Sequence, residues 1–171
     1  MKSLICEKIA RIIKGKQKLE KELNVKIFIR GKEVDVEGNP EDEYIAEKVI
    51  EALNFGFHFS IAILIKEEDC IFEILNIKDY TKRKDLESIR ARIIGKEGKT
   101  LRTLNQLTHC YFELKDNNVG IIGNGENIKI ANEALISLLQ GSKQANVYSF
   151  LEKHQPQQIL DLGLKEKKKK E

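Results

Sequence analysis

Apolar positions along the chain recur at two periods, and the switches between them predict the elements. In Leu86–Ile94, the residues Leu86, Ile89, Ile93 and Ile94 point inward from one helical face, and Leu101, Leu104 and Leu107 repeat at spacing three through Thr100–Thr108. Ile71–Ile77 is an apolar run suited to a strand. Cys110–Leu114 and Val119–Gly123 read as two more strands, hinged by Asp116-Asn117-Asn118, a tight-turn composition. Glu126–Leu139 carries Ile130, Ala134, Leu135 and Leu138 on one stripe and reads as a helix. Upstream, Asn39 and Pro40 stand where an N-cap and a first helical residue belong, with Glu41, Asp42 and Glu43 at the helix's positive end. That helix is expected to stop near Gly56, with the apolar stretch 57–65 extending helically as a bridge.

The same order occurs twice. "ARIIKGKQKLEKELNVKIFI" (10–29) matches "ARIIGKEGKTLRTLNQLTHCYFEL" (91–114), and "VDVEGNPEDEYIAEKVIEAL" (34–53) matches "VGIIGNGENIKIANEALISL" (119–138). The offset is 81 residues at R-I-I, 84 at the apolar run and 85 at the G-N turn, so the second copy carries about three extra residues that include a glycine loop. Each copy is read as strand, helix, loop, helix, strand, strand, helix. The fold class expected is α+β: two tandem modules, each a three-stranded sheet packed against helices. The first spans 1–66, the second 67–141, and 142–171 is a C-terminal segment with a lysine-rich tail.

Charge sharpens this picture. The net charge of the 171 residues is only +3, but residues 81–103 hold eight Lys/Arg against three Asp/Glu and the tail 165–171 holds five Lys against two Glu. Positive charge concentrated around one loop and one terminus is the usual distribution of a nucleic-acid footprint. The tail "KEKKKKE" otherwise reads as a disordered, solubilising end. Three unevenly spaced cysteines (Cys6, Cys70, Cys110) give neither a disulfide framework nor a zinc site and suit a reducing cytosol. With no signal peptide and no apolar run of the ~18–20 residues that span a bilayer, the expectation is a cytoplasmic protein without a membrane partner.

The glycine loop lies in "RIIGKEGKT" (92–100). A P-loop would need glycines five apart before the lysine, and that position is Ile93; it would also need a preceding strand, where "DLESIRARII" reads as a helix. Two helices joined through G-x-x-G form a backbone clamp instead. Glycine lets a sugar-phosphate chain approach the main chain, and the loop opens the second helix so that free N–H groups and the helix dipole face phosphate. Gly95, Lys96, Glu97 and Gly98 form the clamp. Lys99 adds attraction, Arg92 and Arg102 flank the groove, and Ile93 with Ile94 offers an apolar shelf for unstacked bases. Such a module holds about four nucleotides of single strand.

Nothing in the chain assembles catalysis. The carboxylates sit at helix starts and on mixed-charge faces rather than converging with histidines. Cys110 reads as a small core residue within a strand, and His58 and His109 as core or edge residues. No cofactor and no metal are expected, and the chain is read as a binding protein.

"RIIGKEGKT", followed by the strand pair and helix, resembles the KH domain, an RNA- and single-stranded-DNA-binding module, in its type I arrangement. The tandem spacing, "FEILNIKDY" before the second copy and "GSKQANVYSFLEKH" after its last helix are similar to the archaeal relatives of the partner-of-Nob family, over about residues 4–154. That resemblance implies binding to the 3′ region of small-subunit ribosomal RNA during processing. It also implies recruitment of the endonuclease that cuts the precursor, and a link to the alpha subunit of translation initiation factor two. Only Gly95, Lys96, Glu97 and Gly98 match the family's RNA-clamping loop. In the first copy Lys14-Gly15-Lys16 leaves one glycine, and acidic Glu37, Glu41, Asp42, Glu43 and Glu47 suit a buttress or a protein-docking face. Two other readings remain open from the residues: a general KH adaptor for RNA or single-stranded DNA, and a protein-interaction scaffold.

Overall fold

The computed structural model describes residues 1–154, so the lysine-rich tail lies outside the described residues. The first half runs β1 (Lys2–Ile5), α1 (Ile9–Leu23), β2 (Lys26–Arg30), β3 (Glu33–Glu37) and α2 (Pro40–Phe55). A short helix α3 (Phe59–Ala62) and a 3₁₀ turn (Ile63–Lys66) lead to the second half. That half runs β4 (Cys70–Asn76), α4 (Leu86–Ile94), α5 (Lys99–Thr108), β5 (Tyr111–Lys115), β6 (Asn118–Asn124) and α6 (Gly125–Leu139), and α7 (Gln144–Lys153) follows. The chain is α+β, with two three-stranded sheets ordered β1-β3-β2 and β4-β6-β5 and every pairing antiparallel.

Local chemistry explains the element ends. Pro40 opens α2 as expected, but Asn39 makes no side-chain cap. The Glu43 carboxylate instead reaches back past the helix start, accepting from the Gly38 N–H at 3.1 Å, a bond that lowers its pKa from the ordinary value. Asn124 does cap α6, accepting from the Glu126 N–H at 3.0 Å. Of the expected inward stripe of α6, Ala134, Leu135 and Leu138 are buried; Ile130 is only half-buried, and Ile128 and Ala131 complete the stripe in its place.

The expectation of two helices and a loop in the first copy is corrected. α1 is one unbroken helix of 15 residues, and Lys14, Gly15 and Lys16 lie in its middle. The physical reason is the missing insertion. Without the extra residues and a second glycine, nothing interrupts the hydrogen-bond ladder, and one interior glycine lowers helix stability by only about 1 kcal/mol.

The two halves are joined by an aromatic contact. The outer face of the second sheet, around Phe72 and Ile122, packs into the core of the first half. Phe55 and Phe57, at the end of α2, stand with ring centroids 6.0 Å apart, and Phe72 meets them edge-on at 6.0 and 5.8 Å. Gly120 in the central strand β6 permits this approach. A Cβ there would lie 2.8–2.9 Å from the rings of Phe55 and Phe57, closer than carbon atoms pack. An ion pair between Lys115 and Glu7 at 3.4 Å borders the junction. In the first sheet the matching strand position is Asp35, which is 2 % exposed and accepts hydrogen bonds from the Ser3 hydroxyl and the Arg30 guanidinium.

Two outcomes follow from this packing. Gly120→Val should destabilise the protein by about 1–3 kcal/mol, the usual cost of overpacking, read as a lowered thermal midpoint, whereas Gly125→Ala, with ordinary room around it and no left-handed backbone angle, should move it less. The Ser3 hydroxyl, and after it the Arg30 guanidinium, hold the Asp35 carboxyl below its ordinary value. Its contribution is therefore present above about pH 4 and is lost as pH falls through the lowered native value. Asp35→Asn should lower the thermal midpoint at neutral pH, and its difference from the parent should shrink in acid.

Candidate nucleic-acid interface

The loop between α4 and α5 is built from positive backbone angles. Gly95 (φ 77°, ψ 174°) closes α4, with its N–H on the Ala91 carbonyl at 2.8 Å. Lys96–Gly98 forms a single 3₁₀ turn with Glu97 at φ 56°, and Gly98 at φ 75° opens α5. The two glycines are needed for different reasons. A Cβ on Gly95 would stand 2.1 Å from the Thr100 Oγ1 and 2.7 Å from its backbone nitrogen, so the inside of the loop has no room. At Gly98 nothing lies within 4 Å, so its bare face opens to solvent.

That bare face adjoins the N-terminus of α5, which no side chain caps. The first-turn N–H groups of an uncapped helix and its dipole favour an anion. Lys96 and Lys99 are exposed beside it. The loop is held from behind: Thr100 is 3 % exposed, and its hydroxyl oxygen accepts from the Gln144 Nε2 of α7 at 3.1 Å.

Seven of the nine residues expected at the site share this surface: Ile94, Gly95, Lys96, Glu97, Gly98, Lys99 and Arg102. Two do not. Ile93 is 1 % exposed and belongs to the core, so the apolar shelf narrows to Ile94, which is 38 % exposed rather than inward-pointing. Arg92 is partly buried and donates to the Ser142 carbonyl in the turn after α6. The internal repeat explains why. Arg11, its counterpart, donates to the carbonyls of Gly56 at 2.6 Å and Phe57 at 3.0 Å in the turn after α2. In both copies the arginine of R-I-I secures the chain where it leaves the last helix, so Arg92 positions the scaffold rather than flanking the groove.

Arg102 does reach a groove. It lines a shallow hollow of about 340 Å³ between α5 and the edge strand β5, with Leu101, Asn105, Gln106 and Phe112. Asn105 and Gln106 were legible in the sequence as polar residues one turn beyond Arg102. Phe112 was not, because strand alternation alone does not say which helix it faces.

Elsewhere the chemistry is quiet. Burial pushes the Cys110 thiol up to about 11, so it stays protonated at neutral pH. It lies just ahead of β5 rather than within it. His58 and His109 are both exposed at helix ends, not in the core. Among the described residues no cluster of His, Cys, Asp or Glu is placed to hold a metal ion, and no helix is long and apolar enough to cross a membrane.

The different roles of the two loop glycines give a testable contrast. Gly98→Ala should cost about 1 kcal/mol for its left-handed backbone alone. Gly95→Ala adds a collision with the Thr100 main chain and should cost clearly more in urea denaturation.

Comparison with known proteins places this geometry. The model of the second KH domain of PNO1, described as a eukaryotic-type KH domain (KH-domain type I), matches residues 71–156. A KH domain-containing protein of Methanocaldococcus jannaschii is 32% identical over 150 residues, covering 81% of this chain and 64% of the relative. The pre-rRNA-processing protein PNO1 of Coccidioides immitis is 34% identical over 137 residues, covering 75% and 54%. The chain thus spans between about half and two thirds of the length of these relatives. A chain in the crystal structure of the a/eIF2alpha–aDim2p–rRNA complex from Pyrococcus horikoshii superposes with a TM-score of 0.81 at 28% identity, over 89% of this chain and 92% of that one. With its glycine clamp, strand pair and closing helix all inside the matched region, the chain belongs to the PNO1 type of the eukaryotic-type, type I KH-domain family.

Proposed function

We propose that this chain is a binding protein, not an enzyme, that clamps single-stranded RNA from the 3′ region of small-subunit ribosomal RNA as a ribosome-biogenesis and pre-rRNA-processing factor in the cytoplasm. The observation that carries this reading is the open face of Gly98 at the uncapped start of α5, beside Lys96 and Lys99. A phosphate seated there meets helix N–H groups and two ammonium groups, and Glu97 offsets part of that attraction. Bases leaving the backbone pass over Ile94 toward the hollow at Arg102, Asn105 and Gln106. Single-stranded RNA is read in this way, by a clamped backbone and unstacked bases.

The target is supported by the relatives. PNO1 of Coccidioides immitis is a pre-rRNA-processing protein, and aDim2p of Pyrococcus horikoshii is crystallised with rRNA and a/eIF2alpha. That complex supports the alpha subunit of translation initiation factor two as a protein partner, and an rRNA-processing endonuclease is a further partner in this reading. We also read the chain as two tandem KH modules, 1–66 without a full clamp and 67–141 with one, followed by a C-terminal segment from 142. The shared strand order and the matching Arg11 and Arg92 contacts support this division. The roles of the site residues Ile94 to Lys99 and Arg102 belong to this proposal.

Fluorescence anisotropy tests it, with a labelled strand of the rRNA 3′ end and a scrambled control. The intact protein should prefer the cognate strand, and Lys96→Asp should weaken binding about tenfold. The slope of log affinity against log salt should drop by about 0.7 for the lost phosphate contact. Equal binding of both strands by both proteins would refute the clamp.

A further inference from the structure

The unbroken helix α1 carries positive charge along one side. On α1, Arg11, Lys14 and Lys18 fall at i, i+3 and i+7, a single stripe of the helix surface. They face the start of α3 across a hollow of about 400 Å³, whose other wall is His58 and Phe59 and whose floor is Leu53. No carboxylate lines this hollow. Arg11 is fixed by the Gly56 and Phe57 carbonyls, which take up donors but leave its charge uncompensated. The Lys18 ammonium sits 4.7 Å from the centre of the Phe59 ring.

Gly15 lines the same hollow, and the fold gives it no steric reason to be glycine. A Cβ there would lie 3.5 Å from the Phe59 ring, an ordinary contact. Alanine would also favour the helix by about 1 kcal/mol. The glycine therefore keeps the wall of the hollow bare at some cost to the helix, which suits close approach of another backbone.

We infer that this hollow is a second single-stranded-RNA contact, in which Lys14 and Lys18 take backbone phosphates, Arg11 holds the turn that forms its wall, and His58 and Phe59 face a base. It rests on the reading that the chain binds single-stranded RNA. Cations beside aromatic faces are the two components of a sequence-tolerant strand track. An acidic protein segment would use the cations but would leave the rings and the bare glycine without a role. Because α1 is unbroken, no helix N-terminus points at the strand. Recognition here runs through side-chain charge, so it is sequence-blind and strongly salt-dependent. Joined to the clamp by one continuous strand, it adds affinity through effective concentration.

The experiment measures binding of the full chain to a strand of about four nucleotides, enough for one clamp, and to a strand several times longer. The double variant Lys14→Glu/Lys18→Glu should bind the short strand as the parent does. It should bind the long strand about tenfold more weakly, with a shallower salt slope. The Lys14→Arg/Lys18→Arg variant should keep long-strand binding. Gly15→Ala should raise the thermal midpoint while weakening the long strand, a combination that a purely structural glycine would not produce. Long-strand affinity unchanged in the charge-reversed double variant overturns the inference. So does polyglutamate binding that needs Lys14 and Lys18 while RNA binding does not, which would mark an acidic-protein surface. If the parent binds only the long strand, and does so through Lys14 and Lys18, the second contact stands and the clamp reading falls. If it binds neither strand, both fall.

Discussion

Two phenylalanine rings resting on a strand without a side chain hold this molecule in one shape. Phe55 ends α2 and Phe57 lies two residues beyond it, and Gly120 lies in the central strand of the second sheet. Any Cβ at that point would push the rings away from the sheet. Burying a phenylalanine side chain contributes about 1.5–3 kcal/mol, and edge-on aromatic pairs add about 0.5–1.5 kcal/mol. The contact is large enough to join the two halves through a shared core rather than leave them as beads on a linker. Everything at the surface, including the glycine loop and the basic hollow on α1, is placed relative to that junction.

Division of labour between paired residues recurs through the chain. Gly95 is glycine because Thr100 fills the space inside the loop, and Gly98 is glycine because of its backbone angle, with its outward face left open. Thr100 in turn is held by Gln144 of α7, so that helix braces the glycine loop. The two R-I-I arginines secure equivalent turns. The same contact thus recurs in both halves, while the glycine loop is found in the second and a cationic stripe on α1 in the first.

This arrangement suits the binding role proposed for the loop. The loop is preorganised by three positive backbone angles and by buried supports, so an RNA strand would order little of the protein when it binds. The thiol of Cys110, within the second core, is kept protonated at neutral pH by its burial.

Residues 86–139 were readable in the sequence to within one or two positions at the element ends, because apolar periodicity and turn composition act locally. The clamp was readable for the same reason: Gly95 and Gly98 with flanking lysines describe a backbone conformation that needs no distant partner. The repeat also held a signal for the junction. "VDVEGN" has Asp35 and Glu37 where "VGIIGN" has Gly120 and Ile122, and only the second sheet has its outer face covered. What periodicity could not supply was which apolar residue turns inward at a helix end and what a long side chain bonds to. Ile93 and Ile94 are adjacent isoleucines, yet one is core and the other surface. Arg92 looked like a groove residue until the turn after α6 came within its reach. The sequence alone determined the elements, the repeat and the loop; the tertiary structure decided burial, the docking of the halves and the partners of the arginines, because those depend on contacts between residues distant along the chain.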